Sequence, residues 1–167
     1  MQVEIVQFPR TPVAAFEYRG PAERENEAAR TFVEWRIANR LPQDKHRTYG
    51  IHYNFNDVRP AGDGHVDSGD GHIVSGESHI DICVSYDRVV AANPQGVVNK
   101  VIPELRCARA RHLGSRDFNS TAFELYTTWL PASGEALGSF PWFFHYVNVG
   151  PNVQTREMIT DVYLPLR

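Results

Sequence analysis

A chain of 167 residues, 42% hydrophobic and 22% charged, has the length for one domain with a core of ordinary size. A net charge of −3 and the absence of any Lys/Arg run leave out the basic footprint of a nucleic-acid binder. No apolar run approaches the roughly 20 residues of a membrane span, and Met1-Gln-Val-Glu4 has no basic stretch leading into an apolar one, so the expected location is cytoplasmic, without a secretory signal.

In chain order, a short leading strand is predicted over 2–8 (QVEIVQF) and a longer one over 12–19 (PVAAFEYR), where Ala14, Phe16 and Tyr18 share one face by the period of two. A helix follows, with Ala28, Phe32 and Trp35 as its apolar stripe and Pro42 as its stop. Strands are predicted over about 49–55 (YGIHYNF) and 80–86 (IDICVSY), then a second leading strand near 98–102 (VNKVI). The strand 106–113 (RCARARHL) puts Ala108, Ala110 and His112 on one face. In the next helix Phe118, Ala122, Leu125 and Trp129 recur at steps of four, three and four, and Pro131 and Gly134 are read as ending it. Strands over about 142–148 (WFFHYVN) and 159–165 (ITDVYLP) close the chain. This β-α-β-β order argues for an α+β fold with antiparallel pairing, since a doubly wound sheet would need a helix after almost every strand.

The elements repeat. Residues 94 apart align Gly20 with Gly114, Trp35 with Trp129 and Asn54 with Asn148, which divides the chain into halves of about 1–94 and 95–167. The first half is longer by 14 residues between its last two strands. There a period of seven runs through Gly62, Gly69 and Gly76, with His65, His72 and His79 beside Asp63, Asp70 and Glu77. Gly and Asp at each period favour turns, so residues 58–78 read as an expanded connection outside the common core. His with carboxylate can bind a divalent metal, but this spacing fixes no ligand geometry, and no metal site is assigned.

Val13-Ala-Ala-Phe16, Gly20-Pro21, Trp35, Tyr49-Gly-Ile-His-Tyr-Asn54, Asp81-Ile-Cys-Val84, Arg111-His-Leu-Gly114, Trp129-Leu-Pro-Ala-Ser-Gly134, Tyr146-Val-Asn148 and Thr160-Asp-Val-Tyr-Leu-Pro-Leu166 occur in an order and spacing that together resemble the GyrI-like small-molecule-binding domain. The resemblance covers nearly the whole chain. It implies a pseudo-twofold fold, a tandem repeat of β-α-β-β units forming one antiparallel sheet, with two main helices and a ligand groove where the halves join. The family's second-half motif commonly carries a pocket-facing Glu, and here Phe144 stands at that position. The acid that could pair with a cationic ligand, and that hydrolase-like members are thought to use, is missing from its usual place.

The residues expected to line the groove are Phe16, Tyr18, His52, Trp142, Phe144, Tyr146 and Tyr163. In a strand, Trp142, Phe144 and Tyr146 share a face, and aromatics with few polar groups suit flat or greasy ligands. His52 pairs with Tyr146, and His112 with Tyr18, across the repeat. A histidine there could hydrogen-bond a ligand or act as a base, though a structural role competes. Trp35 and Trp129 read as core. Arg106, Arg109 and Arg111 read as a solvated strand face, with an anion-binding edge as the sharper alternative. Cys83 and Cys107, in apolar runs without CxxC spacing, read as buried reduced thiols. No GxSxG, HExxH, Walker loop or GxGxxG is present, so no catalytic residue and no cofactor is assigned. The expected function is a stand-alone sensor or sequestering protein for an apolar or aromatic small molecule. The alternatives are a hydrolase of reactive natural products or xenobiotics, and a protein-interaction module of the gyrase-inhibitor type with a protein partner. No length remains for a helix-turn-helix, so direct nucleic-acid binding is not expected.

Overall fold

The computed structural model describes residues 1–54 and 77–167. Eight strands form one antiparallel sheet: β1 (Val3–Phe8), β2 (Thr11–Pro21), β3 (Thr48–His52), β4 (Glu77–Ser85), β5 (Val98–Ile102), β6 (Leu105–Leu113), β7 (Phe143–Tyr146) and β8 (Ile159–Pro165). Helix α1 (Glu25–Ala38) separates β2 from β3. Between β6 and β7 the chain forms α2 (Ser120–Glu124), a π-helical turn (Leu125–Trp129) and α3 (Leu130–Ser133). Among the described residues no helix is long and apolar enough to cross a membrane.

The strand order is β1-β6-β8-β7-β3-β4-β2-β5. Each half supplies three adjacent strands, and each lends its leading strand to the other: β1 pairs with β6, and β5 with β2. The register carries the repeat. Gly50 pairs with Phe144, its own equivalent 94 residues on, so the pseudo-twofold axis passes between them. Val13 pairs with Ser85 as Cys107 pairs with Pro165, which moves the offset from 94 to 80 residues after the longer connection. The two landmark asparagines make the same bond: Asn54 donates to the Glu77 carbonyl at 2.9 Å, and Asn148 to the Glu157 carbonyl at 2.7 Å.

Only Pro9 and Arg10 link β1 to β2, although these strands lie far apart in the order, so the sheet must curl to bring them together. Phe8 of β1 accordingly reaches Tyr49, Phe143 and Tyr163, with ring centroids 6.0, 4.7 and 5.1 Å away. With Val13, Ala15, Ile51, Ile102 and both cysteines these residues fill the inner face. The other face carries the helices. Phe32 and Trp35 of α1 pack on Ala14 and Val84, and Ala122 and Leu125 pack on Ala108, Ala110 and Val162.

Three sequence readings are corrected. Phe118 precedes the second helix, which starts behind the Asn119 cap. Pro131 does not end that helix. The π turn closes with Leu130 N–H donating to Leu125 O, and Pro131, which has no N–H to offer, fits the first turn of α3. Gly134, at φ +77°, makes the stop. Finally, Arg106, Arg109 and Arg111 are not a merely solvated row, since they pair with Glu135, Glu4 and Asp161. His65 and His72, with most of the 58–78 segment, lie outside the described residues, and Glu77 and Ser78 open β4.

Candidate functional site

At the twofold junction the period of two puts Gly50 and His52 of β3, and Phe144 and Tyr146 of β7, on the helix-bearing face, with Trp142 just ahead of β7. Gly50 leaves the axis without a side chain, and its two neighbours lean in over it. A Cβ added there would stand 2.8 Å from the Tyr146 hydroxyl and 3.1 Å from His52 Nε2. His52 Nε2 and Tyr146 Oη, equivalents under the repeat, share a hydrogen bond of 3.2 Å. Phe144 lies beside the His52 ring at 4.3 Å between centroids and continues edge-on to Trp142 at 5.7 Å and Tyr146 at 6.4 Å. Tyr126, within the π turn, extends the run over Trp142 at 6.0 Å. The result is one contiguous aromatic surface on the axis, closely packed, with His52, Trp142 and Phe144 buried and Tyr146 half-buried.

A cleft of about 230 Å³ adjoins this surface at the His52 end, between Trp142, Pro141, Leu137 and Leu164. At the Tyr146 end stand two guanidinium groups. Arg116 lies 5.1 Å over the Tyr146 ring and donates to Thr160 Oγ1 at 3.0 Å and to the Asn148 and Ile159 carbonyls at 2.8 Å each. Arg36, only 3% exposed, donates to Thr48 Oγ1 at 2.7 Å and to the Leu41 carbonyl at 3.1 Å. Thr48 is the cross-strand partner of Tyr146, which places Arg36 beside it. Burial lowers the pKa of both arginines, and both stay bonded to neutral oxygens, with no carboxylate partner among the described residues.

Of the seven expected groove residues the structure brings together His52, Trp142, Phe144 and Tyr146. Phe16 lies on the same face and in the same cross-strand row as Phe144, but Ile82 and Gly50 stand between them, and it packs in the α1 cluster. Tyr18 turns toward its own chain, donating to the Pro21 carbonyl at 2.5 Å and covering Gly20. Tyr163 sits on the inner face, stacked on Phe143 at 5.0 Å and 3°. A groove shared by all seven is therefore not what this fold builds: an odd-numbered β8 residue points away from an even-numbered β7 residue in this register. His112 is structural, bonded to Thr121 Oγ1 and the Ser115 carbonyl. Arg36 and Arg116 escaped the sequence reading. Arg36 falls one residue past Trp35 on the α1 stripe, and that spacing was the only available signal.

A match to known proteins decides the family. The model of the GyrI-like small molecule binding domain matches residues 1–167. The chain belongs to the GyrI-like small-molecule-binding family. Within that family it is 32% identical, over 99% of its own length and 96% of the relative's, to a probable transcriptional regulator, YgiV, of Escherichia coli K12. Among solved structures the EcmrR C-terminal domain superposes with a TM-score of 0.72 at 15% identity, covering 99% of this chain and 97% of that one. The chain spans 57% of EcmrR as solved in its DNA complex, also at TM-score 0.72 and with 12% identity. SAV2435, solved with tetraphenylphosphonium bound, superposes at 0.58 with 10% identity, covering 100% of this chain and 94% of that one. This is thus a small-molecule-binding domain related to the effector-binding domains of regulators.

Proposed function

We propose that this GyrI-like chain binds a flat, largely apolar small molecule against His52, Trp142, Phe144 and Tyr146, as an effector sensor or a sequestering protein. The observation that carries this reading is the contiguous aromatic surface on the pseudo-twofold axis, with Phe144 paired to the bare backbone of Gly50. Aromatic faces with a few convergent polar groups are the usual lining of a small-ligand site. The π turn over Trp142 supports the same place, because such turns occur frequently at functional sites. SAV2435 holds a lipophilic cation. In this chain the surface offers Phe144 rather than an acid, and an unpaired buried charge is costly, so neutral aromatics are favoured over cations. The part of EcmrR that this chain matches is its C-terminal domain, and a ligand-sensing role in regulation is the reading that this likeness supports.

Isothermal titration of a neutral aromatic and a lipophilic cation into the parent and into Phe144→Glu tests the reading. The parent should prefer the neutral probe, and the variant should gain affinity for the cation and lose it for the neutral. Equal behaviour of the two proteins would remove Phe144 from the site. Tight binding of the cation by the parent would mean that another carboxylate supplies the charge.

A further inference from the structure

One of two described clefts of about 680 Å³ connects to the Tyr146 end of the aromatic surface through Arg36, which lines it and bonds Thr48, the cross-strand partner of Tyr146. Val33 and Ile37 of α1 form one wall, and Val149, Pro151 and Val153 of the connection after β7 form the other. Its charged groups are the buried Arg36, with Arg40 and Asp44 on the exposed rim. Arg36 reaches Thr48 Oγ1, the Leu41 carbonyl at 3.1 Å and the His46 carbonyl at 3.4 Å, three neutral oxygens for a group with five N–H donors. Arg116, behind the same connection through its bond to the Asn148 carbonyl, adds a second cation that among the described residues donates only to uncharged oxygens, those of Thr160, Asn148 and Ile159. The salt bridges among the described residues tie up the carboxylates Glu4, Glu17, Asp81, Glu135 and Asp161, all with other cations. An apolar trough thus ends on the buried guanidinium of Arg36, which pairs with no carboxylate of the described chain, while Arg40 and Asp44 on the rim offset each other in formal charge.

We propose that the ligand is an organic anion: an aromatic or aliphatic body in the apolar trough and on the aromatic surface, with a carboxylate, or another single acidic group, at Arg36 and Arg40. The proposal rests on the groove reading above and adds the ligand's charge to it. An acid group arriving at Arg36 replaces weak neutral contacts by charge-assisted hydrogen bonds, which are shorter and about twice as strong, in a site walled by hydrocarbon where charge is poorly screened. The same positive field repels a lipophilic cation, so Phe144 and the two arginines act in the same direction. Arg40 is suited to guide the acid inward. It takes a left-handed backbone conformation (φ 56°) just past the end of α1, and its exposed side chain lies on the rim.

Three probes with one ring system separate body from charge: 2-naphthoate, 2-naphthamide and 2-naphthylmethylammonium, each titrated calorimetrically into the full chain at pH 7.5 and low salt. The expected order is naphthoate at least tenfold tighter than naphthamide, with the ammonium weakest. Added NaCl should weaken naphthoate and leave naphthamide unchanged. Arg40→Gln, which breaks no packing, should cost naphthoate about threefold and naphthamide nothing. Arg36→Gln should erase the preference for the acid. Arg36 also pins the connection between α1 and β3, so if that variant does not fold, Arg40→Gln and the salt series decide. Equal binding of naphthoate and naphthamide by the parent overturns the anion proposal and leaves the groove reading standing. Equal losses for both probes in Arg40→Gln overturn it as well. Failure of all three probes to bind overturns both.

Discussion

Replacing Gly50 by alanine tests the junction on which the site is built. The added Cβ would lie 2.8 Å from the Tyr146 hydroxyl, 3.0 Å from its ring and 3.1 Å from His52 Nε2, so Tyr146 must swing away and the 3.2 Å His52–Tyr146 bond is stretched or lost. Overpacking of this kind costs about 1–3 kcal/mol. Reduced freedom of the unfolded chain returns roughly 0.4–1 kcal/mol. The net expectation is a loss of about 1–2 kcal/mol, which for a chain of this length lowers Tm by about 2–8 °C. Urea denaturation followed by tryptophan fluorescence measures it. The double variant Gly50→Ala/Tyr146→Phe locates the cause, since removing the hydroxyl relieves the shortest contact and should restore about half of the loss. A Gly50→Ala protein as stable as the parent would refute the packing argument. A double variant no better than the single would refute the role given to the hydroxyl.

Three further outcomes are expected. In Phe144→Glu the new carboxyl lands at a position 4% exposed, where burial raises its pKa. A raised acid is penalised as pH climbs above the unfolded value of about 4.3, so relative to the parent the variant should lose about 2–4 kcal/mol of stability between pH 4 and pH 8. A pH-independent difference in urea melts would show that the side chain escapes to water. Cys83 and Cys107 are buried, and desolvation pushes the Cys107 thiol up to about 12 and Cys83 well above its ordinary value. Ellman's reagent at pH 8 should therefore find no reactive thiol in the native protein and two after denaturation; prompt native reaction would contradict the inner-face packing. Tyr53 donates to Asp81 at 2.6 Å, and its pKa is pushed up to about 12, by burial first and then by Asp81. A group whose folded pKa is raised gives stability that is whole below its unfolded pKa near 10 and is lost as pH rises toward 12. The parent should lose stability across that window more steeply than Tyr53→Phe, and parallel melting curves would rule the linkage out.

Much of the fold was legible in the sequence because strand and helix periods are local. Alternation at Ala14, Phe16 and Tyr18, the stripe Ala28, Phe32 and Trp35, and the 94-residue offset each follow from which side of a strand or helix a residue occupies, and the structure has all three. The helix break at Leu125–Trp129 was not legible. A π turn shifts the phase of the stripe without changing its composition, and Pro131 looks like a stop until its missing N–H is seen to be unneeded.

The site was legible only in part, for a related reason. Period two tells that Phe144 and Tyr146 share a face. It cannot tell which strand lies alongside, because pairing brings together residues far apart in the chain. The exchange of β1 and β5 between halves, the seating of Phe144 against Gly50 and the turning of Tyr163 to the inner face were decided by the closing of the sheet. The charge of the site was decided there too. Arg36 reads as one more polar residue in a surface helix, and only the packing of α1 against Thr48 and the following connection buries its guanidinium among neutral oxygens. By itself the sequence determined the family, the repeat and the absence of the acid at position 144. Tertiary structure decided which four aromatic side chains meet, and that positive charge waits beside them, since both depend on contacts across the sheet that no local pattern encodes.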